Sequence, residues 1–373
     1  MRVTYLLTSL GMGGAERLAL ALAECMAERG HAVQILVLGP RVEQEWETEL
    51  PVVRLRFERT PAGFAAGLWR ARQALKAFQP DLIHSHCFHS NLVARLMRVF
   101  GSSARVISTV HNVYEGPRRR MLAYRVTDRL ADGVVFVCRA ALERYTGERA
   151  VSPQKAHVIL NGIDTDAWKP DHERRRQTRQ LMGLGEEFVW LSAGRLTDAK
   201  DFPGLLSAFA LLRPMYPEAR LWIAGEGSAQ RTAELRKLTE TLDLAESVRW
   251  LGARKDLPAL MDAADGFVLG SAWEGMPLVL GEAMALELPV VATDVGGVRE
   301  LVGEEGSVVP AGSPEALAEA MRQTMESGEE QRHLLGVRAR QRIESGFRLD
   351  VWTYQWEAFY RELFAATREE PRS

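Results

Sequence analysis

The chain has 373 residues, of which 46% are hydrophobic and 26% charged, and its formal net charge is −2. This length is too great for one ordinary core and predicts two domains. Three widely separated cysteines without a Cys-x-x-Cys pattern argue against a disulfide framework or zinc ribbon, and no apolar run reaches the roughly 18 residues of a membrane span. We therefore expect a cytoplasmic protein, at most peripheral at the inner face of the membrane.

The charge is distributed unevenly along the chain. Residues 1–160 carry a net charge of +8 and the remaining residues −10. A basic first half favours an anionic neighbour, either a lipid-linked phosphate acceptor or a membrane surface. Dispersed, solvated charge explains the excess at least as well, because only Arg118–Arg120 forms a true cluster. Nucleic acid is not expected as a partner, since the chain lacks a basic stripe interleaved with aromatic residues.

The first half alternates short apolar runs with longer amphipathic ones, which is typical of a parallel sheet flanked by helices. Short runs of Val, Ile and Leu bounded by turn residues suit strands that are buried on both faces. The predicted strands are Val3–Leu7, Ala32–Leu38, Leu82–Ser85, Val106–Val110 and Val134–Val137, and the predicted helices are Gly14–Arg29, Ala66–Phe78 and Leu92–Val99.

A break follows near Asn161–Asp164, where turn residues lead into a highly charged stretch that starts at Lys169. The same alternation then restarts, so we predict two tandem doubly wound domains, 1–165 and 166–348, with ligands at the carboxyl ends of the strands in a cleft. The predicted strands of the second half are Val189–Ser192, Leu221–Ala224, Val248–Leu251, Gly266–Leu269 and Pro289–Ala292, and the helices are Phe202–Leu212, Ala229–Leu242, Leu278–Leu286 and Pro314–Met325.

The strongest local signal is a pair of carboxylates, Glu274 and Glu282, with seven residues between them. A strand precedes Glu274 and a helix begins after Pro277, so Glu274 lies in the loop and Glu282 within the helix. The two can hold opposite ends of an extended ligand, and the helix N-terminus between them attracts phosphate. Two solvated glutamates on an ordinary strand–loop–helix explain the spacing about equally well.

Two further loops follow predicted strands. Gly194-Arg195 and Lys200 end one strand and open the next helix, where two cations can neutralise a diphosphate, although ordinary surface charge is the better explanation of this pair alone. Near the start, Gly13 and Gly14 open a helix. The full Gly-x-Gly-x-x-Gly pattern is absent because Glu16 holds its last position, which disfavours NAD binding.

Taken together, these segments resemble glycosyltransferase family 4, whose members are retaining enzymes with two facing Rossmann-like domains, the GT-B fold, and include bacterial glycosyltransferases of the group 1 type. The resemblance covers nearly the whole chain. Its motifs are Gly13-Gly14-Ala-Glu-Arg17, Asp81-Leu-Ile-His-Ser-His86, Val110-His111-Asn112, Asn161-Gly-Ile-Asp164, Gly194-Arg195 with Lys200-Asp201, Ala224-Gly-Glu-Gly227, Glu274 to Glu282, and Pro289 to Gly297 with Glu300.

The resemblance implies a role for each residue. Glu282 would bind the ribose, Glu274 the transferred sugar, and Arg195 and Lys200 the diphosphate, whose developing charge they would stabilise. The implied catalytic residues are His111, Arg195, Lys200 and Glu274. The implied donor-binding residues are Gly14, Gly194, Arg195, Lys200, Arg254, Glu274, Gly275, Met276, Pro277, Leu278, Val279 and Glu282, and those on the acceptor side are Gly13, Gly14, His86 and His111.

Two other groups of residues suggest a metal site, and we expect neither to be one. Asp164-Thr-Asp166 matches the Asp-x-Asp pattern of other sugar transferases, but its place in a turn favours turn and capping chemistry. His84 and His86 lie on one face of a strand without an obvious acidic partner, which favours structural or acceptor-side histidines. The family resemblance implies no required cofactor or metal, with the nucleotide-sugar as co-substrate.

Near the C-terminus an aromatic stripe at helical spacing runs through Trp352, Trp356, Phe359, Tyr360 and Phe364. A membrane-lying helix is one explanation. A better one is a terminal helix in 349–373 that crosses back and packs on the first domain, as the resemblance implies. The family pattern is not matched everywhere: Leu278 and Gly281 replace residues that are commonly polar and larger, which leaves donor preference open.

The sequence thus predicts a retaining hexosyltransferase that uses a nucleoside-diphosphate sugar, with UDP favoured and GDP second. The acceptor would be a hydroxyl of a glycan or glycolipid, and the resemblance implies a role in bacterial cell-surface polysaccharide assembly. The alternatives are a nucleotide-sugar epimerase of the same architecture and a catalytically silent nucleotide-sugar-binding protein. A dehydrogenase is a more distant alternative.

Overall fold

A computed structural model describes residues 1–365. It divides the chain into two compact units, the first formed by Met1–Gly162 together with the chain from Asp350 onward, and the second by Ile163–Leu349. The first division falls three residues before the predicted one. The last eight residues, including the end of the predicted segment 349–373, lie outside the described range. Within that range, no helix is both long and apolar enough to cross a membrane.

The first unit contains a seven-stranded parallel sheet of order β3-β2-β1-β4-β5-β6-β7. Helices connect successive strands except β2 and β3, which a loop joins, and short 3-10 turns cover Asp128–Leu130 and Pro153–Lys155. The elements are β1 (Arg2–Leu7), α1 (Gly14–Glu28), β2 (Ala32–Val37), β3 (Val52–Arg54), α2 (Pro61–Phe78), β4 (Leu82–His86), α3 (Phe88–Val99), β5 (Arg105–Val110), α4 (Arg118–Thr127), β6 (Gly133–Phe136), α5 (Arg139–Gly147) and β7 (Ala156–Val158).

The second unit contains a six-stranded parallel sheet of order β10-β9-β8-β11-β12-β13. A 3-10 turn covers Asp198–Lys200. The elements are α6 (His172–Met182), β8 (Val189–Ala193), α7 (Phe202–Leu212), β9 (Arg220–Ala224), α8 (Ala229–Thr241), β10 (Val248–Gly252), α9 (Leu257–Ala263), β11 (Gly266–Leu269), α10 (Leu278–Ala285), β12 (Val290–Thr293), α11 (Val298–Val302), β13 (Ser307–Val309), α12 (Pro314–Glu326) and α13 (Glu329–Gly346).

In each sheet, successive strands are added first toward one edge and then, from one point on, toward the other. In the first unit β1 lies between β2 and β4, and in the second β8 lies between β9 and β11. Loops that leave such neighbouring strands diverge to opposite faces, which opens a crevice at the carboxyl edge of the sheet. Most of the predicted site residues lie at the carboxyl ends of these strands, β1 and β4 in one unit and β8 and β11 in the other, while His111 follows β5 and Arg254 follows β10.

The charged stretch after Lys169 lies beyond the predicted boundary at 165/166, and it is helical. It forms α6, whose first turn is capped by the Asp171 carboxylate accepting from the amides of Glu173 and Arg174. The arginines of α6 hold it against α9 and its end: Arg174 pairs with Asp262, and Arg175 and Arg179 pair with Asp265. The helix escapes detection because it has no buried residue.

The predicted C-terminal helix is present as α14 (Leu349–Ala365), and from Asp350 onward it belongs to the first unit. Trp352, Trp356, Phe359 and Tyr360 are all buried, while Phe364 is half-buried. The Tyr360 hydroxyl lies 3.2 Å from that of Tyr5 in β1. The aromatic stripe therefore completes the core of the first unit, which confirms the crossing-back helix.

Candidate active site

In the second unit, the loops that follow β8 and β11 meet at the point where the sheet reverses. They are joined through the backbone, because the Ala272 amide donates to the Ala199 carbonyl at 2.8 Å. The Thr293 hydroxyl, at the end of β12, donates to the Ser271 carbonyl at 2.6 Å. Three adjacent strand ends thus fix the loop that carries Glu274.

At the centre of this region Lys200 and Glu274 form an ion pair, with Nζ 2.5 Å from Oε1. The Ser271 hydroxyl donates to the same oxygen at 2.7 Å. The other carboxylate oxygen, Oε2, has no hydrogen-bond partner among the described residues. Glu274 is thus held at one oxygen and keeps the other for a ligand hydroxyl.

Two glycines allow this close arrangement. A Cβ at Gly194 would lie 2.9 Å from Lys200 Cε, so a larger residue there would displace the lysine stem from the end of β8. Gly296 has a φ of 55°, and a Cβ there would lie 2.3 Å from the Glu274 carbonyl oxygen. The Gly297 amide donates to the Gly275 carbonyl at 2.6 Å, so this second glycine turn supports the Glu274 loop from below.

Groups that are able to bind phosphate lie on the same two segments of chain as the ion pair. The Arg195 side chain is exposed and forms no hydrogen bond or ion pair with any described residue. Helix α10 begins at Leu278, and no oxygen of the described residues accepts from the amides of Leu278 and Val279. Free amides at a helix N-terminus beside a free guanidinium and an ammonium group suit a diphosphate.

Glu282 lies on α10, one turn beyond these amides, and is 2% exposed. Its neighbour Gly281 packs closely on Ile163, whose Cδ1 would lie 2.8 Å from a Cβ at position 281. This contact gives a local reason for a small residue where the family commonly has a larger one.

A cavity of about 490 Å³ lies at the carboxyl ends of β8, β9 and β10. Gly225, Gly227, Trp250 and Gly252 line it together with the first turns of α8. Arg254, in the next loop, donates two hydrogen bonds to Asp256, at 2.7 and 2.6 Å, and these lower the pKa of the Asp256 carboxyl. The Arg254 guanidinium is therefore already paired with Asp256, and a nucleobase bound here would be contacted by main-chain groups.

In the first unit, the ends of β1, β4 and β5 bring Gly13, Gly14, His86 and His111 to one edge of the sheet. Gly13 precedes α1, and its carbonyl accepts from the Arg17 amide at 3.0 Å and from Trp46 Nε1 at 3.3 Å. His86 Nδ1 lies 2.9 Å from His111 Nε2, so the two imidazoles share one hydrogen. His86 Nε2 is buried and has no partner among the described residues.

His84 differs from its two neighbours. Its Nε2 lies 2.7 Å from the Thr109 hydroxyl and its Nδ1 2.6 Å from the Tyr360 hydroxyl, so both ring nitrogens are used inside the core. Burial lowers the pKa of His111 to about 4 and those of His84 and His86 well below the usual value. All three are neutral at neutral pH, and His84 is structural.

The predicted turn at Asp164 is confirmed. Asp164 Oδ1 accepts from the amides of Asp166 and Ala167, at 3.1 and 2.9 Å, so this carboxylate shapes the turn. Across residues 1–365, the structure places no three His, Cys, Asp or Glu side chains together in the manner of a metal site.

Comparison with known proteins decides the family. The family model for Glycosyltransferase Family 4 matches residues 12–167, and that for Glycosyl transferases group 1 matches residues 174–342. A GDP-mannose-dependent alpha-(1-6)-phosphatidylinositol monomannoside mannosyltransferase of Mycobacterium tuberculosis is 30% identical over 285 residues, which are 72% of each chain. The chain belongs to glycosyltransferase family 4. It is a glycosyltransferase by that membership.

Other known proteins resemble the chain in part or throughout. The UDP-Gal:alpha-D-GlcNAc-diphosphoundecaprenol alpha-1,3-galactosyltransferase of Escherichia coli is 27% identical, and the match spans 62% of each protein. The crystal structure of Anabaena HepE in complex with UDP has a TM-score of 0.85 and 22% identity over 97% of this chain and 100% of that one. The predicted fold class, two tandem Rossmann-like domains of GT-B type, is confirmed.

Sequence reasoning missed several residues that support the site in this member of family 4. Ser271 holds Glu274, and its place directly after a buried strand was the available signal. Glu115 follows His111 by four residues and accepts from the hydroxyls of Tyr124 and Tyr145, at 2.9 and 3.4 Å. Burial raises the pKa of Glu115 to about 7. No pattern in the sequence marked it.

Proposed function

We propose that this protein is a retaining hexosyltransferase that moves a hexosyl unit from a nucleoside-diphosphate sugar to a hydroxyl of a lipid-linked glycan or glycolipid. The observation that carries the proposal is the Lys200–Glu274 ion pair at 2.5 Å, beside the free Arg195 side chain and the free amides of α10. Cations and amides suit the diphosphate, and the open Glu274 oxygen suits a sugar hydroxyl. Glu282, on the same helix, is assigned to the ribose.

The transfer step breaks the bond between the anomeric carbon and the donor phosphate oxygen and forms one from that carbon to the acceptor oxygen on the same face. The acceptor proton passes to a phosphate oxygen of the departing nucleoside diphosphate. Lys200, Arg195 and the amides of Leu278 and Val279 stabilise the negative charge that develops there. His111 is neutral, and its imidazole is assigned to the acceptor side, on the first unit.

Lys200 and Arg195 supply the positive charge that a divalent ion supplies in other sugar transferases, so activity is expected without added metal. Dialysis against EDTA followed by a turnover assay tests this point. Full loss of activity that a divalent ion restores would contradict it.

The donor is assigned as a UDP-sugar first and a GDP-sugar second. UDP is bound in the HepE structure and UDP-galactose is the donor in the name of the E. coli relative, whereas the mycobacterial relative is named for GDP-mannose. Both named acceptors carry a lipid and phosphate, which supports a lipid-linked acceptor and a place in cell-surface polysaccharide assembly. Peripheral attachment to the inner face of the membrane, through the basic first unit, is part of the proposal.

Thermal unfolding of the purified protein with UDP, GDP, ADP or NADH tests the donor assignment. A ligand that binds only the folded state at ten or a hundred times its Kd stabilises it by about 1.4 or 2.7 kcal/mol. A shift with UDP alone is expected, a shift with GDP alone would move the assignment to guanosine, and a shift with NADH alone would contradict it.

Product analysis tests the reaction. With the matching UDP-hexose and a polyprenyl-diphosphate sugar as acceptor, we expect released UDP and a product whose new linkage keeps the anomeric configuration of the donor, read by proton NMR. Conversion of the donor to another sugar nucleotide without acceptor would identify an epimerase instead.

A further inference from the structure

Helix α4 of the first unit has one face that is exposed to solvent. Its outward residues, continued by Arg129 in the following turn, fall within an arc of about 120° at 100° per residue. They are all exposed: Arg118, Arg119, Leu122, Arg125, Val126 and Arg129. We call these six residues the α4 face. Leu122 is 56% exposed and Val126 67%, so two aliphatic side chains lie in water between four arginines.

The opposite side of α4 is well packed, so the helix is firmly placed. Met121 and Tyr124 are buried in a core cluster with Val110 and Val134. The Tyr124 hydroxyl accepts from Asn91 at 2.9 Å and donates to Glu115 at 2.9 Å. The exposure of the α4 face therefore does not follow from a loose or frayed helix.

The positive charge of the α4 face is uncompensated. The side chains of Arg118, Arg119 and Arg129 form no hydrogen bond or ion pair with any residue of the described range 1–365. Arg125 donates only to the backbone carbonyls of Glu148 and Arg149.

The carboxylates on the segments around α4 are bonded to other partners. Glu148, whose backbone carbonyl accepts from Arg125, pairs its carboxylate with Arg144. Glu115 is bonded to Tyr124 and Tyr145, and Asp128 to Ser152. Asp132 is bonded to Arg98 and Arg105, at 2.8 Å each. None of these carboxylates neutralises the face.

Helix α6 shows what an arginine-rich helix looks like when its charge is satisfied within the protein. It also contains three consecutive arginines, Arg174–Arg176, followed by Arg179. Each of these four pairs with a carboxylate: Asp262, Asp265 or Glu173. Arginine content alone therefore does not distinguish α4; the absence of acidic partners and the two exposed aliphatic residues do.

Apolar exposure continues beside α4. Helix α3 packs against α4, and its C-terminal residues Val99 and Phe100 are 64% and 43% exposed. Their neighbour Arg98 is held by Asp132, which fixes this end of α3. The first unit thus presents aliphatic and aromatic side chains next to its concentrated positive charge.

We propose that the α4 face docks on a bilayer surface rich in anionic phospholipid. Arginines at headgroup phosphates with aliphatic side chains at the acyl boundary are the composition of an interfacial helix. Charge complementarity favours an anionic lipid surface over a neutral one. The aliphatic pair favours lipid over nucleic acid, because Leu122 and Val126 gain no favourable contact from nucleic-acid phosphates. The proposal deepens the proposed function, since it names the surface that brings the enzyme to a lipid-linked acceptor.

Flotation with vesicles of phosphatidylcholine, with or without phosphatidylglycerol, tests the proposal on the full chain without donor or acceptor. We expect binding that needs phosphatidylglycerol and weakens with salt. Arg118→Glu/Arg119→Glu is expected to weaken it by about tenfold or more. The matched control, Arg176→Glu/Lys237→Glu, reverses two exposed charges on the second unit and should bind as the parent does.

A second pair of variants tests the aliphatic contribution. Leu122→Ser/Val126→Ser should weaken vesicle binding several-fold, whereas Leu181→Ser, at a residue 86% exposed on α6, should not. The UDP-induced thermal shift should be unchanged in all variants, which separates this proposal from the donor assignment. Equal vesicle binding by the α4 variants and their controls would overturn it, as would binding to an oligonucleotide but not to the vesicles.

Discussion

At the scale of single residues, Glu274 shows how a carboxylate can be held and still remain available. Lys200 and Ser271 both donate to Oε1, at 2.5 and 2.7 Å, which fixes the rotamer and leaves Oε2 open. A preorganised acceptor of this kind need not reorient when a sugar hydroxyl arrives. Lys200 therefore has two tasks in the proposed mechanism, to orient Glu274 and to neutralise the diphosphate.

Arg195→Ala and Lys200→Ala should each lower kcat by about 10² to 10³, because the leaving group loses a charge that acts mainly in the transition state. Steady-state kinetics with the cognate sugar nucleotide measures this. Lys237→Ala, on the exposed side of α8, is the control and should retain the parent rate. If both active-site variants turn over normally, the diphosphate assignment is wrong.

Glu282→Ala and Glu274→Ala should show which glutamate binds the ribose and which the hexose of the donor. Free nucleoside diphosphate carries a ribose but no hexose, so its Kd should rise more in Glu282→Ala than in Glu274→Ala. Isothermal titration with UDP gives both values. The opposite order would exchange the roles of the two glutamates.

Glu115 should make stability depend on pH in a predictable direction. Its pKa is raised to about 7, so the folded state holds the proton more tightly than the unfolded state, and the stability associated with this group falls as pH rises from about 4.5 to 7. Glu115→Gln cannot lose this proton. The free energy of unfolding of the variant minus that of the parent should therefore be about 1–3 kcal/mol more favourable to the variant at pH 8 than at pH 4.5.

Urea unfolding of both proteins at the two pH values measures this difference. Comparison with the parent is needed because the lowered pKa values of His84, His86 and His111 change stability in the opposite direction across part of the same range. A difference between variant and parent that does not change with pH would show that Glu115 titrates normally.

At the scale of secondary-structure elements, burial decides what could be predicted. Central strands such as β8 and β11 were located to within a residue, because strands covered on both faces read as short continuous apolar runs. The three-residue strands β3, β7 and β13 have no fully buried residue and left no such signal. Helices α4 and α6 were missed for a similar reason, since their sequences are mostly basic and polar.

The contacts between candidate residues could not be predicted from the sequence. The sequence predicts Lys200 and Glu274 each in a loop after a strand, but 74 residues separate them, and no spacing rule predicts that they bond directly. The link between His84 and Tyr360 spans 276 residues and depends on a helix that belongs to the first unit only in three dimensions.

Helix α14 provides a prediction at this scale. Trp356 is 2% exposed, and its ring lies 4.5 Å from that of His84. Trp356→Ala leaves a cavity in the first unit and should lower the free energy of unfolding by about 3–5 kcal/mol. Tyr354→Ala, at a residue of the same helix that is 59% exposed, is the control. Equal effects of the two changes, measured by urea unfolding, would contradict the packing of α14.

At the scale of the whole molecule, the two units repeat one architecture with different chemistry. Both sheets are parallel and reverse at a central strand, and both carry most of their candidate residues at the carboxyl ends of the strands at that point. The second unit presents cations, amides and carboxylates at its sheet edge, while the first presents neutral imidazoles at its sheet edge and positive charge on α4. This difference agrees with our proposal that the second unit binds the nucleotide-sugar and the first the acceptor.

The first unit is built from two separate stretches of chain, and this bears on how the protein is made. Helix α14 leaves the ribosome only after the whole second unit has been synthesised. Domains usually fold in the order of synthesis. Here the surface formed by Tyr5, His84 and Gly133 stays uncovered until α14 arrives, so the second unit, although made later, can finish folding first. Nascent chains stalled before residue 350 should therefore present this apolar surface to chaperones.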